Sequence, residues 1–227
     1  MLSPGTESGV AVDRRIRAES IPGCIVFRLE YNGPVRYSEG HRGKVRERIL
    51  DVAARTLRER SIDGVGLRDI MKRAGLATKG GFYAHFRSRE HLVVEAMERA
   101  LQRSRALASS AFADAGPRVW LEQILRVYLS RGHRDALAAG CPLAAVGPEL
   151  ARSSGDVRKT LDRELQAYID LFAERLGDRR AAIGALATMV GGLQLARATD
   201  ESALSDEILE ATRAFIADGA FSEEARA

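Results

Sequence analysis

Leu67-Arg68-Asp69-Ile70-Met71-Lys72-Arg73-Ala74-Gly75-Leu76-Ala77-Thr78-Lys79-Gly80-Gly81-Phe82-Tyr83 carries the pattern that decides the fold. Leu67, Ile70 and Met71 recur at helical spacing and form the inward face of a short helix running to Ala74. Ala74 is small enough for a second helix to approach closely. Gly75 supplies the backbone conformation of a tight turn, and Leu76 plugs the core beneath it. The next helix begins at Thr78 and runs to about His85. Gly80 and Gly81 in so short a helix cost about 2 kcal/mol relative to alanine. Backbone must therefore come close to something there, and a phosphate ribbon is a natural candidate. Arg68, Lys72, Arg73, Lys79, Arg87 and Arg89 surround the segment with phosphate-directed charge.

Outward from this segment, helices succeed one another in both directions. Upstream, Val45, Ile49, Val52, Ala53 and Thr56 mark one apolar face of a helix over about residues 42–60. Downstream, Ser88 is placed to cap a long helix reaching about Ala111, with Glu90 in its first turn where the helix dipole favours an acid. Pro117 suits a first-turn position, ahead of Trp120, Leu121, Ile124, Leu125, Val127 and Tyr128 in a helical repeat. Gly140-Cys141-Pro142 breaks the chain and starts a short helix to about Arg152. Asp156 is placed to cap the next, with the stripe Val157, Leu161, Leu165, Ile169, Phe172 and Leu176. Gly177-Asp178 separates it from a helix over about 179–199, and a last helix opens at Leu204 or Ser205 and ends near Asp218-Gly219. No internal repeat is present, and no run alternates long enough for a strand. The expected fold is all-α.

Residues 1–35 read differently. Pro4-Gly5, Pro22-Gly23 and Gly33-Pro34 punctuate them and no period persists, so the stretch is expected to be a disordered extension. The sequence from Val35 reads as a natural protein start, a valine codon serving as initiator, which would place residues 1–34 outside the native chain; mass spectrometry of the native N-terminus decides this. The rest divides into a small basic domain over 36–87, a helical domain over 88–219 and a tail over 220–227.

Charge supports that division. Residues 36–100 hold 15 basic and 9 acidic side chains, whereas residues 101–227 hold 16 and 18. A basic module on a near-neutral body suggests a polyanion partner for that module alone. With two cysteines far apart, Cys24 and Cys141, neither a disulfide framework nor a local metal site is indicated, and a reducing cytoplasm is the default. No apolar run approaches the roughly 20 residues needed to span a bilayer. Ile25–Leu29 is too short for the core of a signal peptide. The four histidines, His41, His85, His91 and His133, form no metal-spaced cluster. No phosphate loop follows a strand and no nucleophile elbow is present, so an enzyme is not indicated. An all-helical enzyme working through carboxylates is the rival from another class, and an architectural DNA-binding protein is a second. The neutral body argues against the latter, because non-specific binders spread their charge widely.

An ordered set of segments resembles the TetR/AcrR family of bacterial regulators: Arg48-Ile49-Leu50-Asp51-Val52-Ala53-Ala54, Arg68-Asp69-Ile70, Ala74-Gly75-Leu76, Gly81-Phe82-Tyr83-Ala84-His85-Phe86 and Ser88-Arg89-Glu90-His91-Leu92. Gly140-Cys141-Pro142-Leu143 through Glu149-Leu150-Ala151 is similar to the ligand domain of one subgroup. The resemblance implies an N-terminal three-helix helix-turn-helix domain on a C-terminal helical ligand-binding and dimerisation domain, without cofactor or metal. It also implies a homodimer on a palindromic duplex, released by a small molecule. By the same resemblance Thr78, Lys79 and Gly80 begin the recognition helix, while Tyr83 and His85 touch phosphate or sugar. Arg89 holds a phosphate at the next helix's start, Lys44 or Arg46 does so from the first helix, and Arg68 adds charge nearby. Phe82 and Phe86 are core. Three departures stand out. Gly66 occupies the usual Ser or Thr cap, and Ser61 the place of a helix-ending Gly. The turn Leu76–Gly80 is one residue longer than is usual, leaving open whether Thr78 or Lys79 faces a base edge.

In the body, Ile183–Leu193 is apolar nearly all round and rich in small residues, which lets backbones approach. Gly184, Ala187 and Gly191, with Ile208 and Phe215 on the last helix, are expected at a dimer interface. Tyr128, Cys141, Tyr168, Phe172, Gln194 and Arg197 are polar or aromatic residues near apolar faces, and are candidate pocket linings. Cys141 reads either as a small buried residue or as a thiol at a helix N-terminus, suited to sensing oxidants or electrophiles.

Overall fold

The computed structural model describes residues 14–21, 24–31, 41–64, 66–76, 80–153, 155–200 and 203–220. Among them ten α-helices follow one another: α1 His41–Arg60, α2 Leu67–Arg73, α3 Gly80–Tyr83, α4 Arg89–Ser110, α5 Pro117–Tyr128, α6 Arg131–Asp135, α7 Pro142–Leu150, α8 Gly155–Leu176, α9 Arg179–Ala198 and α10 Ala203–Gly219. The body of the protein is all-α, as its periodicity predicts.

The expectation that no strand would form needs correction. Ahead of the helices, β1 (Arg14–Ile21) and β2 (Cys24–Tyr31) pair antiparallel, Arg14 opposite Tyr31 and Ile21 opposite Cys24. Alternate positions of the sequence are apolar there, Ile16 and Ala18 in β1 and Ile25, Phe27 and Leu29 in β2. Each run is eight residues with charges interspersed, so the period-2 signal is short.

Local chemistry fixes the helix ends. Ser88 caps α4 by accepting from the His91 N–H (3.0 Å), with Glu90 in the first turn. Asp178 caps α9 by accepting from Arg180 and Ala181 N–H. Pro117 and Pro142 begin α5 and α7, where a missing N–H costs nothing. The predicted cap Asp156 lies one residue inside α8, still in its first turn. The Trp120 repeat forms α5 and ends at Tyr128, the last residue of its pattern. After Tyr128 the chain kinks at Leu129, and Ser130 caps a new short helix by accepting from the His133 N–H (3.1 Å). A single 3-10 turn, Leu137–Ala139, then leads to Cys141.

One continuous apolar core runs along α4, which packs on both α1 and α8. Ile49, Ala53, Leu57, Ile70, Met71, Phe82, Phe86 and Leu92 are buried together at one end. At the other, the fully buried Trp120 meets Phe172 edge-on at 5.0 Å, with the Arg175 guanidinium over the indole at 5.5 Å. Helix α9 lies against α8 and α10. A Cβ on Gly192 would stand 2.6 Å from Thr212 Cγ2, so glycine there permits the α9–α10 approach. Helix α9 also corrects the membrane reading. It is long and apolar enough to cross a bilayer by length and composition, although its Ala182, Ala185, Met189, Leu193 and Ala196 face is buried in the fold like that of a core helix.

Candidate DNA-binding head and effector chamber

The turn between α2 and α3 is built as its residues dictate. Gly75 adopts φ +75°, its N–H donates to Lys72 O (3.0 Å), and the Leu76 N–H donates to Met71 O (2.9 Å). Helix α2 is tied to α1 by Arg73, which donates to Thr56 Oγ1 (2.7 Å) and pairs with Glu59 (2.9 Å), and by Asp69, which accepts from Arg60 (3.0 Å). Phe82 stacks on Phe86 at 5.5 Å and both are buried, so α3 is anchored from beneath. Tyr83, one residue on, is 67% exposed and stands outward. The result is a short helix held rigidly by its inner face with its outer face open to a partner.

Among the residues expected to meet DNA, Tyr83 is exposed on α3, and Lys44 and Arg68 lie exposed on α1 and α2. Gly80 begins α3, while Thr78 and Lys79 lie outside the described residues. Gly81 is half-buried, and a Cβ there would stand 3.6 Å from Met71 Cε, so its surroundings are those of ordinary packing. His85 is half-buried, tilted on Phe86 at 6.4 Å. Arg46 and Arg89 are committed inside the protein. Arg46 pairs with Glu95 of α4 and lies over the Phe86 ring at 4.9 Å. Arg89 donates to the Ile62 carbonyl (2.5 Å), beside Asp63 at 3.8 Å. Much of the head's arginine therefore builds the head: Arg99 clasps Glu47 and Asp51 in the same way, tying α4 to α1.

The structure brings four of the six candidate pocket residues together. Cys141, buried at the N-cap of α7, interacts electrostatically with Tyr128 of α5, Tyr168 of α8 and Arg197 of α9. Arg197 donates through Nε to Arg134 O (3.1 Å) and through Nη2 to His133 O (2.8 Å), leaving Nη1 buried without a partner. The hydroxyls of Tyr128 and Tyr168 are also buried, the first against the Cys141 thiol and the second against Ser104. Burial pushes both phenols' pKa values up, and the neighbouring Cys141 adds to it. A buried group left unpaired, as Nη1 is, costs about 1–3 kcal/mol. Phe172 is instead spent on Trp120, and Gln194 stands half-buried beside Gly147, where a Cβ would meet its Nε2 at 3.2 Å. An open cleft of about 530 Å³ lies elsewhere, between the starts of α4 and α8; Glu90, Glu95, Asp156, Lys159 and Arg163 line it, and none of the candidate pocket residues does.

Sequence reasoning gave no ligand-domain role to three residues around this chamber. His133 stacks edge-on with Tyr128 at 4.7 Å. Its Nδ1 lies 2.7 Å from Tyr128 O and its Nε2 accepts the Cys141 N–H at 3.0 Å, so the neutral Nδ1–H tautomer satisfies both. Burial lowers its pKa from 6.5 to about 4, with the Arg197 charge adding and the bond to Tyr128 opposing. Arg58, from the last turn of α1, donates to Ala138 O (2.6 Å); burial, with Arg103 and Arg55 nearby, lowers its pKa to about 10. Glu149 of α7 accepts the Ile62 N–H at 2.6 Å. Gly140 was the available signal: a Cβ there would stand 2.6 Å from Arg197 Nη2 and 3.1 Å from His133 Nε2, so the break before Pro142 is also a close approach.

The profile of the bacterial regulatory proteins of the tetR family matches residues 49–96, which span α1 to α4 around this turn. The head, from α1 to α4, is that of the tetR-family regulators. The chain is 28% identical to the HTH-type transcriptional repressor NemR of Escherichia coli over 141 residues, covering 60% of this chain and 68% of that one. It is 29% identical to an HTH-type transcriptional regulator of Mycobacterium tuberculosis over 73% of this chain and 80% of that protein. Among solved structures, reduced E. coli NemR superposes with a TM-score of 0.67 at 22% identity, covering 76% of this chain and 95% of that one. A TetR regulator from Chloroflexus aurantiacus gives 0.65 at 24%, covering 78% and 94%. FadR from Bacillus subtilis, in complex with stearoyl-CoA, gives 0.60 at 18%, covering 76% and 98%.

Far from that matched segment, one face of α9 and α10 is uncovered. Ile183, Gly184, Ala187 and Leu195 of α9 and Leu204 and Phe215 of α10 are exposed, Phe215 at 70%, and Gly191 and Ile208 are half-buried. Nothing lies within 4 Å of where a Cβ on Gly184 or Gly191 would stand. The expected interface residues thus share an apolar face that one copy of the chain leaves in water.

Proposed function

We propose that the protein is a ligand-responsive repressor, acting in the cytoplasm as a homodimer on a palindromic duplex. The observation that carries this is the α2–turn–α3 unit, rigid beneath and open above, within the segment matched by the tetR-family profile. The division into a head over 36–87 and a body over 88–219 belongs to this reading. Tyr83, Lys44, Arg68 and the Thr78–Gly80 segment would meet the duplex. Arg46 and Arg89 would hold the head in shape, Arg89 turning to phosphate only if it leaves Ile62. The apolar α9–α10 face would take a second copy, with Gly184 and Gly191 permitting close backbone approach. Two heads must stand about 34–36 Å apart to enter successive major grooves.

Three hydrogen bonds suggest how the body sets that spacing: Arg58 to Ala138, Ile62 to Glu149 and Arg89 to Ile62. Together they join the end of α1, the loop after it and the start of α4 to the segment that leads into Cys141 and α7. A ligand that shifts α7 would move the head, and a coupling of about 1–3 kcal/mol relieves repression. Selection of duplexes from a random pool tests the reading. One palindrome, bound by a dimer with affinity falling as salt rises, is expected; no duplex bound at low salt refutes it.

A thiol sensor of the same fold is the second reading. It is favoured by the placement of the buried Cys141 at the junction of chamber and α7, and by the likeness to NemR. Operator release by peroxide or N-ethylmaleimide that persists in Cys24→Ser and vanishes in Cys141→Ser would select it.

A further inference from the structure

Helix α6 has five residues, far below the roughly 12–15 at which an isolated helix holds its shape in water, so its position is decided by what grips it. The grip comes from one corner of the body. Arg131 lays a two-pronged guanidinium on Asp206, Nε to Oδ1 at 2.8 Å and Nη2 to Oδ2 at 2.5 Å. The buried Arg134 reaches the same place, donating from Nη1 to Ser205 Oγ (2.9 Å) and Asp206 Oδ1 (3.3 Å). Ser205, fully buried, passes the link on by donating to Ala196 O (2.7 Å). Arg197 closes the ring from α9, with donors on Arg134 O (3.1 Å) and His133 O (2.8 Å).

That corner is also the edge of the apolar α9–α10 face. The exposed Leu195 and Leu204 immediately precede Ala196 and Ser205 in sequence, so the residues that grip α6 and the residues left in water share two helix ends. Helix ends fray when nothing covers them. On its other side α6 leads toward the head. The His133 ring accepts the Cys141 N–H (3.0 Å) at the start of α7, and in the 3-10 turn after α6 Ala138 O receives Arg58 of α1 (2.6 Å). Arg134 is the member least able to yield. Its ion-pair partner Asp135 (2.6 Å) is its own neighbour in sequence and travels with it, but Ser205 and Asp206 do not. Parting from them would leave Nη1 buried without those acceptors. If the ends of α9 and α10 move, α6 goes with them.

We propose that Arg134 and Asp206 lock α6 to the α9–α10 corner, so that a second copy covering the apolar face fixes α6 and, through Ala138 and Cys141, the seat of the head. The proposal deepens the homodimer reading and rests on it. Pairing brings two heads to one duplex, and by this lock it also stiffens each head's attachment to its own body. A coupling of this kind is reciprocal: what loosens α6 must weaken pairing, and loss of pairing must loosen α6. Arg134 and Asp206 are positioning residues in this scheme, acting on the head only through α6.

The test follows amide hydrogen exchange of the full-length chain by mass spectrometry, with sedimentation giving the dimer Kd. Phe215→Glu alters an exposed residue of the apolar face, about three turns along α10 from Ser205 and outside the lock. It is expected to make the chain monomeric and to speed exchange in the peptide covering 131–141 about tenfold, with the peptides around Trp120 unchanged. In the converse experiment Asp206→Asn keeps the side chain's shape and removes its charge. It is expected to speed exchange in the same peptide and to raise the dimer Kd about tenfold. Arg134→Gln should do both more strongly; if that buried variant fails to fold, the half-buried Asp206 carries the test alone. Exchange over 131–141 unchanged in Phe215→Glu, a dimer Kd unchanged in Asp206→Asn, or faster exchange spread equally over the Trp120 peptides overturns the proposal. A dimer undisturbed by Phe215→Glu places the contact on another face and overturns it likewise. If the unaltered chain sediments as a monomer, the homodimer reading itself fails; if it pairs and either exchange or Kd stays fixed, that reading stands and the lock falls.

Discussion

The head and the chamber of this protein are built on opposite terms. Of the buried side-chain polar atoms without partners among the described residues, none lies between residues 41 and 87. There, Thr56 donates to Val52 O and receives Arg73, and arginines close on carboxylates at the periphery. The chamber holds a guanidinium nitrogen with nothing to bind and two buried phenols whose hydroxyls reach only a thiol and Ser104. A head must present one geometry to DNA, and a saturated network gives it one. A sensor must prefer a second state when its ligand arrives, and unpaired donors weaken its empty state.

The largest effect expected lies in the head's core. Phe82→Ala removes a buried ring stacked on Phe86 and should cost about 3–5 kcal/mol. Circular dichroism should show an early transition for the head. Retention of dimer by sedimentation would confirm that head and body are separable, and loss of the dimer would show that they are not.

The chamber should respond to acid. His133 has its pKa lowered from 6.5 to about 4. An unfolded chain takes up the proton as pH falls through 6.5, whereas the folded chain does so only near 4. Stability is therefore full above 6.5 and declines across that window, by at most about 1.4 kcal/mol per pH unit and roughly 3 kcal/mol in all. Urea unfolding between pH 7 and 4 checks this. A His133→Asn variant should show a shallower slope, and an unchanged slope would place the acid lability elsewhere.

A smaller effect is expected at Tyr128. Tyr128→Phe deletes a buried phenol oxygen whose neighbour is only the weakly accepting Cys141 thiol, without changing the ring's packing, and should shift the thermal unfolding free energy by less than about 1 kcal/mol. A loss of about 1.5 kcal/mol or more would mean that the hydroxyl has a strong partner and would erase the contrast between the two regions.

Legibility in the sequence divides along the same line. The head could be read because its signals are local: Gly75 takes the positive φ its place demands, Ser88 caps, and Phe82 and Phe86 go inward. The gathering of Tyr128, Cys141, Tyr168 and Arg197 draws on four elements, and periodicity could say only that each lies near an apolar face. His133, Arg58 and Glu149 escaped because their partners are backbone groups 5 to 87 residues away, and a carbonyl or N–H leaves no residue-type signature. Arg46 and Arg89 were assigned outward for a related reason. Sequence reports a charge but not whether a nearby acid or carbonyl has already claimed it.

The smallest expected effects test whether the head is saturated in its backbone as well as its side chains. Ser61 holds φ +88°, a strained value for a residue with a Cβ, where a glycine would rest. Relief in Ser61→Gly is worth about 1–2 kcal/mol, but Ser61 Oγ also accepts the Gly64 N–H at 3.1 Å, an exposed bond worth about 0.5–1 kcal/mol. The net gain should be about 0.5–1 kcal/mol. Gly66 caps α2 with extended backbone and no side-chain bond, and nothing lies within 4 Å of where its Cβ would stand. Gly66→Ser should therefore add a cap without a clash, gaining only a few tenths of a kcal/mol because glycine already caps tolerably. Differential scanning calorimetry of the single and double variants resolves both. Additive gains would mean that the loop from Ser61 to Gly66 carries slack while the residues around it do not. If Gly66→Ser instead destabilises, the loop is already set in the geometry that Ile62 shares with Glu149, and the head's tolerance ends where the body's grip begins.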